Sequence, residues 1–241
     1  MIIPNSENIR AIIICAGEAS RWNNHTSTPK HLVSIEGENI LHRTIRLLRL
    51  YGVTDIYVVS KDDSRYNIGG SKQYIVEPNY KDNGDADKFL SSEPIWNTKG
   101  KTLILYGDCY FTDNCIRAAI NSSIRRNSWF LMCRPDGSKI TGSKYGECFI
   151  YSIPSKDLGL FREHLNKLAK LHTSKQIDRC GGWELYRSMC GVDNKDLRTH
   201  KMYTNWYLVN DWTEDFDFPA DFENWNRLRI QKIGINRIIT I

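Results

Sequence analysis

The sequence predicts an α/β fold, doubly wound, in which a mainly parallel mixed sheet carries helices on both faces. Three observations predict it. The runs IRAIIICA (9–16), VTDIYVVS (53–60) and KTLILY (101–106) are short and aliphatic with little polar alternation, the pattern of strands covered on both sides. Stretches between them repeat their apolar residues at helical spacing. Strand and helix then alternate along the chain, as strand–helix–strand units require.

Taken in order, Ile9 to Ala16 is the first strand, and Gly17 ends it. Ile40, Leu41, Ile45 and Leu48 mark a helix from Ile40 to Leu50 that Gly52 stops. Val53 to Ser60 is the second strand, and a short strand near Tyr74 to Glu77 leads into the polar loop EPNYKDNGDAD. A short helix is expected from Asp87 to Trp96, then the strand Lys101 to Tyr106. Asp113 is positioned to cap a helix reaching Asn127, with Ile116, Ala119, Ile120 and Ile124 facing inward. WFLMC (129–133) and ECFIYSI (147–153) read as strands, Lys156 to His172 as an amphipathic helix, and WYLVN (206–210) as a last core strand. Two glycine-containing insertions, RPDGSKITGSKYG and DRCGGWELYRSMCGVD, interrupt this half, and the tail RLRIQKIGINRIITI receives no element.

Composition narrows the functional classes. With 41% hydrophobic and 25% charged residues the chain is an ordinary globular one. No apolar run approaches the roughly 18–20 residues of a membrane span, and MIIPNSENIR lacks the features of a secretion signal. A cytoplasmic protein without membrane contact is expected. The seven cysteines are odd in number and form no C-x-x-C pair, so reduced thiols are the better reading. Basic residues exceed acidic ones by 33 to 28, giving +5, but without a basic block; a nucleic-acid partner is not expected, whereas a small anionic ligand suits this balance.

In an open parallel sheet, ligands bind beyond the carboxyl ends of the strands. That rule selects three turns. In the first, the small residues Ala16, Gly17, Ala19 and Ser20 let backbone N–H groups approach an anion, and Arg21 and Lys30 add positive charge suited to phosphate. Neither G-x-x-x-x-G-K-[ST] nor G-x-G-x-x-G is present, and a surface turn with incidental basic residues stays open. In the second, Asp108 after Gly107 is placed to hold a divalent cation, although Gly-Asp is also a common turn. In the third, Asp211 could reach the same cation, while Thr213 to Asp217 read as the acidic first turn of a following helix.

Together, residues 12–41 resemble the signature of the nucleotidyltransferase family (sugar-phosphate nucleotidyltransferases or pyrophosphorylases, including MobA-like NTP transferases), L-x-A-G-x-G-x-R-x(n)-P-K-x-L-x-x-x-x-G-x-x-x-L. Matching positions are Ala16, Gly17, Arg21, Pro29, Lys30, Leu32, Gly37 and Leu41; Ala19 stands where the second glycine is usual. The resemblance extends to Gly107-Asp108 and to Asp211-Trp212-Thr213-Glu214-Asp215 in place of a late D-x-P-E-D segment. It implies one nucleotidyltransferase domain over 1–241, with acceptor-site insertions around 134–147 and 173–204. The implied reaction is attack of an acceptor phosphate on the α-phosphorus of a nucleoside triphosphate, CTP or UTP before others, with release of pyrophosphate. The acceptor is a phosphorylated small molecule, a sugar phosphate before others.

The same resemblance implies roles. Cys15, Ala16, Gly17, Glu18, Ala19, Ser20, Arg21, Lys30, Asn83 and Gly107 hold the nucleotide; Arg21 and Lys30 are also the catalytic cations. Asp108 and Asp211 hold Mg²⁺, or Mn²⁺ in its place. The loop Glu77 to Asp87 is the candidate for base recognition, through Asn79, Asn83, Asp85 and Asp87. Lys144, Tyr145, Glu147, Trp183, Glu184 and Arg187 are candidates for the acceptor pocket, although Trp183 and its neighbours fit a helix core equally well. Two other classes stay open: a glycosyltransferase of the related nucleotide-sugar fold, which leaves Arg21 and Pro29-Lys30 unexplained, and a regulatory nucleotide-binding protein without turnover. Assembly into a homo-oligomer is left open as well.

Overall fold

The computed structural model describes residues 8–17, 20–22, 25–77 and 84–239. In chain order the elements are β1 (Ile9–Ile14), β2 (Ser34–Ile35), β3 (Glu38–Asn39), α1 (Ile40–Leu50), β4 (Asp55–Ser60), β5 (Lys72–Ile75), α2 (Gly84–Ser91) and β6 (Lys101–Tyr106). They continue with β7 (Cys109–Tyr110), α3 (Asp113–Arg125), β8 (Phe130–Arg134), β9 (Glu147–Pro154), α4 (Leu158–Thr173), α5 (Gly182–Met189), β10 (Trp206–Leu208), β11 (Glu214–Asp215) and α6 (Pro219–Ile239). Seven strands form the main sheet in the order β10-β8-β9-β6-β1-β4-β5. Pairing is parallel except at β9, which runs antiparallel to both β6 and β8.

Strand alternation divides the core. Ala11 and Ile13 join the cluster under α1 and α3, whereas Ile12 and Ile14 join the one under α2, α4 and α5. Ile12 and Ile13 are fully buried, and each such side chain contributes about 1.5–3 kcal/mol, which fixes where the chain emerges at the end of β1. Helix ends follow local chemistry. Asn39 caps α1 by accepting from the Leu41 and His42 amides, and Gly52, at φ +84°, adopts the left-handed conformation that closes it.

Besides shifted ends, as in the helix expected at Asp87 to Trp96 that runs over Gly84–Ser91 and the strand expected near Tyr74 to Glu77 that runs over Lys72–Ile75, four expectations change. Thr112, not Asp113, caps α3, accepting from Cys115 N at 3.1 Å; Asp113 instead accepts from Tyr51 Oη at 2.6 Å. WYLVN is an edge strand, with partners on one side only and Leu208 exposed, rather than a core strand. Glu214–Asp215 is a strand paired with β7, and the helix that follows starts at Pro219. The tail continues that helix to Ile239. No helix among the described residues is long and apolar enough to cross a membrane, and all seven cysteines are free thiols.

Candidate active site

The connections from β1 run towards β4 on one side and the sheet continues through β6 on the other, so the switch point lies at the carboxyl ends of β1 and β6. There the two backbones touch: Gly107 N donates to Ile14 O at 2.9 Å, and a Cβ on Gly107 would stand 2.7 Å from that same oxygen. Only glycine fits, and its presence lets β6 deliver Asp108 beside the turn at Cys15, Ala16 and Gly17. Cys15 and Ala16 are buried, and burial together with Asp108 keeps the Cys15 thiol well above its usual range.

A second device brings more carboxylates. β11 pairs antiparallel with β7, Asp215 opposite Cys109, and Phe216 N donates to Asp108 O at 3.2 Å. In extended backbone, alternate residues share a side. Asp215 and Asp217 therefore turn towards Asp108, while Phe216 packs with Trp22, Tyr110 and Trp225. Asp108, Asp215 and Asp217 each offer an oxygen within 4.8 Å of the others, as do Glu147, Glu214 and Asp215. Arg134 clamps this arm from the end of β8, with Nη2 donating to both Glu214 oxygens at 2.8 Å and Nη1 donating to Thr213 O at 3.0 Å.

The cations meet these carboxylates. Lys30 Nζ contacts Asp108 and lies 3.2 Å from Asp217 Oδ1; Arg21 reaches Asp217 at 2.6 Å and 2.9 Å. Burial opposes the charge on Lys30, but Asp108, Asp217 and Asp215 outweigh it and hold the ammonium well above its usual range. Burial likewise opposes ionisation of Asp108, yet Lys30, with help from His31 and Lys88, holds it down at about 2. Asp215 is driven far up by burial, then by Glu147, Asp108 and Asp217. Glu147 is pushed up to about 8 by burial, Glu214 and Asp217, against the pull of Arg134. Like charges at such separations repel by roughly 3–4 kcal/mol per pair at an effective dielectric constant near 20, a large fraction of a stability of about 5–15 kcal/mol. Carboxyl groups outnumber cations here, Asp108, Glu147, Glu214, Asp215 and Asp217 against Arg21, Lys30 and Arg134, and an all-oxygen donor set without His or Cys fits a hard divalent cation such as Mg²⁺ or Mn²⁺.

Asp211 does not join this group. Its carboxylate accepts from Thr112 Oγ1 and, at 2.8 Å, from Thr213 N, so it tightens the turn into β11 against the cap of α3. The side chain expected to hold the metal is spent on a turn, and the two expected to lie in a helix turn, Asp215 and Asp217, stand beside Asp108. Their signal in the sequence is the alternation Asp215-Phe216-Asp217-Phe218, a strand pattern of period two.

Of the acceptor candidates, Glu147 joins the acidic group, and Lys144 and Tyr145 on the preceding loop keep exposed side chains. Glu184 and Arg187 are buried in the scaffold: Glu184 accepts from Gly181 N at 3.0 Å to cap α5, and Arg187 donates to Leu197 O at 2.9 Å while lying over Trp183. Trp183 in turn donates to Gly146 O at 3.4 Å. Asp85, considered for base recognition, has its carboxylate engaged by Lys88, Tyr106 and Gly182. Glu18, Ala19, Asn79 and Asn83 lie outside the described residues, as does the side chain of Ser20.

Residues 11–178 match the MobA-like NTP transferase domain, and the chain belongs to that family. It is thereby a nucleotidyltransferase. Solved structures place the same fold over nearly all of its length. A Bacillus anthracis protein assigned as a glucose-1-phosphate thymidylyltransferase superposes with a TM-score of 0.64 at 16% identity, covering 91% of this chain and 94% of that one. The CTP:phosphocholine cytidylyltransferase of Streptococcus pneumoniae gives 0.57 at 16% identity over 91% and 98%. The inositol-1-phosphate CTP transferase of T. maritima gives 0.55 at 17% over 94% and 98%. A search of curated protein sequences finds no match.

Proposed function

We propose that this nucleotidyltransferase is Mg²⁺-dependent, with Mn²⁺ able to substitute, and that it joins the nucleoside monophosphate of CTP or UTP to a phosphorylated small molecule, a sugar phosphate before others. The observation that carries the reading is the meeting of Asp108, Asp215 and Asp217 with Lys30 and Arg21 at the carboxyl ends of β1 and β6. CTP is favoured because two of the three structural relatives above are named for it, and all three are named for phosphorylated acceptors.

In this reading an oxygen of the acceptor phosphate attacks the α-phosphorus, the bond from that phosphorus to the bridging β-oxygen breaks, and pyrophosphate leaves with the electron pair. The attacking phosphate is already an anion, so no general base is needed. Alignment and charge neutralisation then carry the catalysis. Asp108, Asp215 and Asp217 would hold the divalent cation, which would supply charge neutralisation when bound. Backbone N–H groups at Ala16 and Gly17 face the triphosphate, and Arg21 and Lys30 exchange their carboxylate partners for the departing pyrophosphate. Lys144 and Tyr145 are the acceptor-side groups outside the scaffold, and the chain works as one domain.

The test is a matrix of CTP, UTP, dTTP, GTP and ATP against sugar 1-phosphates, inositol 1-phosphate and phosphocholine, read by coupled pyrophosphate release and product mass. Release with CTP or UTP and one acceptor is expected. Folded protein that releases no pyrophosphate above background in any well overturns the reading.

A further inference from the structure

We infer that Lys88 is a third cation of the nucleotide site, binding the triphosphate over the turn at Gly17 while Asp85 holds it in place. The inference rests on the nucleotidyltransferase reading and extends it to a residue outside the signature.

Lys88 stands on α2 and leans across the end of β1. A Cβ on Gly17 would lie 3.5 Å from Lys88 Cε and 3.8 Å from its Nζ, so the ammonium roofs the turn where a phosphate is expected. Its side chain is 29% exposed, which leaves the stem packed and the charge within reach of a ligand. Asp85 fixes its position. Lys88 Nζ donates to Asp85 Oδ1 at 2.9 Å, and Oδ2 of the same carboxylate accepts from Tyr106 Oη and from Gly182 N, each at 3.0 Å. The Asp85 amide also donates to Cys180 O at 2.8 Å. Asp85 is thus pinned to the end of β6 and to the start of α5, and Lys88 is pinned to Asp85. Attraction to Asp85 outweighs burial and keeps Lys88 charged; Asp108 and Lys30 also act on it, so it lies within the field of the centre.

Counter-ions separate Lys88 from the other two cations. Lys30 and Arg21 rest on Asp108 and Asp217, which a bound cation would take, so their charge reaches phosphate once those carboxylates are engaged elsewhere. The partner of Lys88, Asp85, stands outside that acidic trio. Lys88 can therefore donate to a phosphate oxygen with or without the metal, and triphosphate affinity in chelator should depend on it.

Calorimetry on the full chain tests this with CTP, UTP and inorganic tripolyphosphate, in EDTA and in Mg²⁺. Lys88→Met keeps the stem and removes the charge; Lys88→Arg restores the charge. Lys88→Met is expected to weaken binding at least tenfold in both conditions, with a cooperative thermal unfolding transition retained, and Lys88→Arg to stay within threefold of wild type. Asp85→Asn should fall between them. If Lys88→Met fails to fold, Lys88→Gln against Lys88→Arg gives the same comparison. Binding by the uncharged variant within twofold of wild type overturns the assignment. The two readings fail separately: wild type that binds tripolyphosphate in a Lys88-dependent way but releases no pyrophosphate loses the transferase reading alone. Wild type that releases pyrophosphate while Lys88→Met binds normally loses Lys88 alone. Wild type that binds none of the three ligands overturns both.

Discussion

Residues 15–30 and residues 211–217 deliver charged side chains to the same crevice, but by different construction. The first segment leaves the end of a parallel strand buried at every position but Arg10, and its small residues and basic groups follow one another within a single connection. The second is a two-residue strand, held in place only because β7 pairs with it, Arg134 clamps Glu214, and Phe216 enters a cluster of aromatic rings. A motif that sits on local backbone can be read locally. A carboxylate whose direction depends on a distant strand cannot, unless its two-residue period is noticed.

The comparison can be broken most sharply at the carboxylates. Asp108→Asn and Asp215→Asn should each lower pyrophosphate release by at least about a hundredfold, whereas Asp211→Asn, which keeps an acceptor for the Thr213 amide, should cost much less. Equal losses at Asp211 and Asp215, measured as kcat with folded protein, would place Asp211 back among the ligands.

The clamp on the second segment comes next. Arg134 and Glu214 are almost entirely buried, with side-chain exposures of 4% and 5%. Removing one partner leaves the other charge stranded, so Arg134→Met should lose about 3–5 kcal/mol of stability in urea. The double change Arg134→Met with Glu214→Leu should recover most of it. A single variant as stable as wild type would show that the arm does not depend on the clamp.

A smaller effect probes the first segment. His31 is buried and its Nδ1 lies 3.1 Å from Tyr66 Oη; burial, with Lys30 and Lys88 adding to it against Asp108, lowers its pKa from 6.5 to about 4. Between those values the unfolded chain binds a proton that the folded one refuses, so stability falls as pH drops from 6.5 to 4 and is complete above 6.5. The contribution is up to about 3 kcal/mol. His31→Gln should flatten that part of the stability–pH curve relative to wild type; identical slopes would remove His31 from the account.

Much of the fold was legible because buried parallel strands carry their own composition: Lys101–Tyr106 has the same ends in sequence and structure, and α1 is bounded as Ile40 and Gly52 indicate. What escaped was tertiary. β10 has the apolar residues of a core strand, but its place at the sheet edge depends on strand order. Glu184 and Arg187 look like pocket residues beside glycines, yet they satisfy a helix start and a buried carbonyl. Asp215 and Asp217 were masked by the general tendency of acidic residues to precede helices, and α6 does follow them, beginning at Pro219.

The central claim, that Asp108, Asp215 and Asp217 form one cation site and Asp211 does not, is tested most directly by Mn²⁺ binding followed by electron paramagnetic resonance. Asp215→Asn and Asp217→Asn are expected to abolish or weaken binding at least tenfold while Asp211→Asn binds as wild type does. Loss of Mn²⁺ binding in Asp211→Asn, with Asp215→Asn unaffected, would contradict the account.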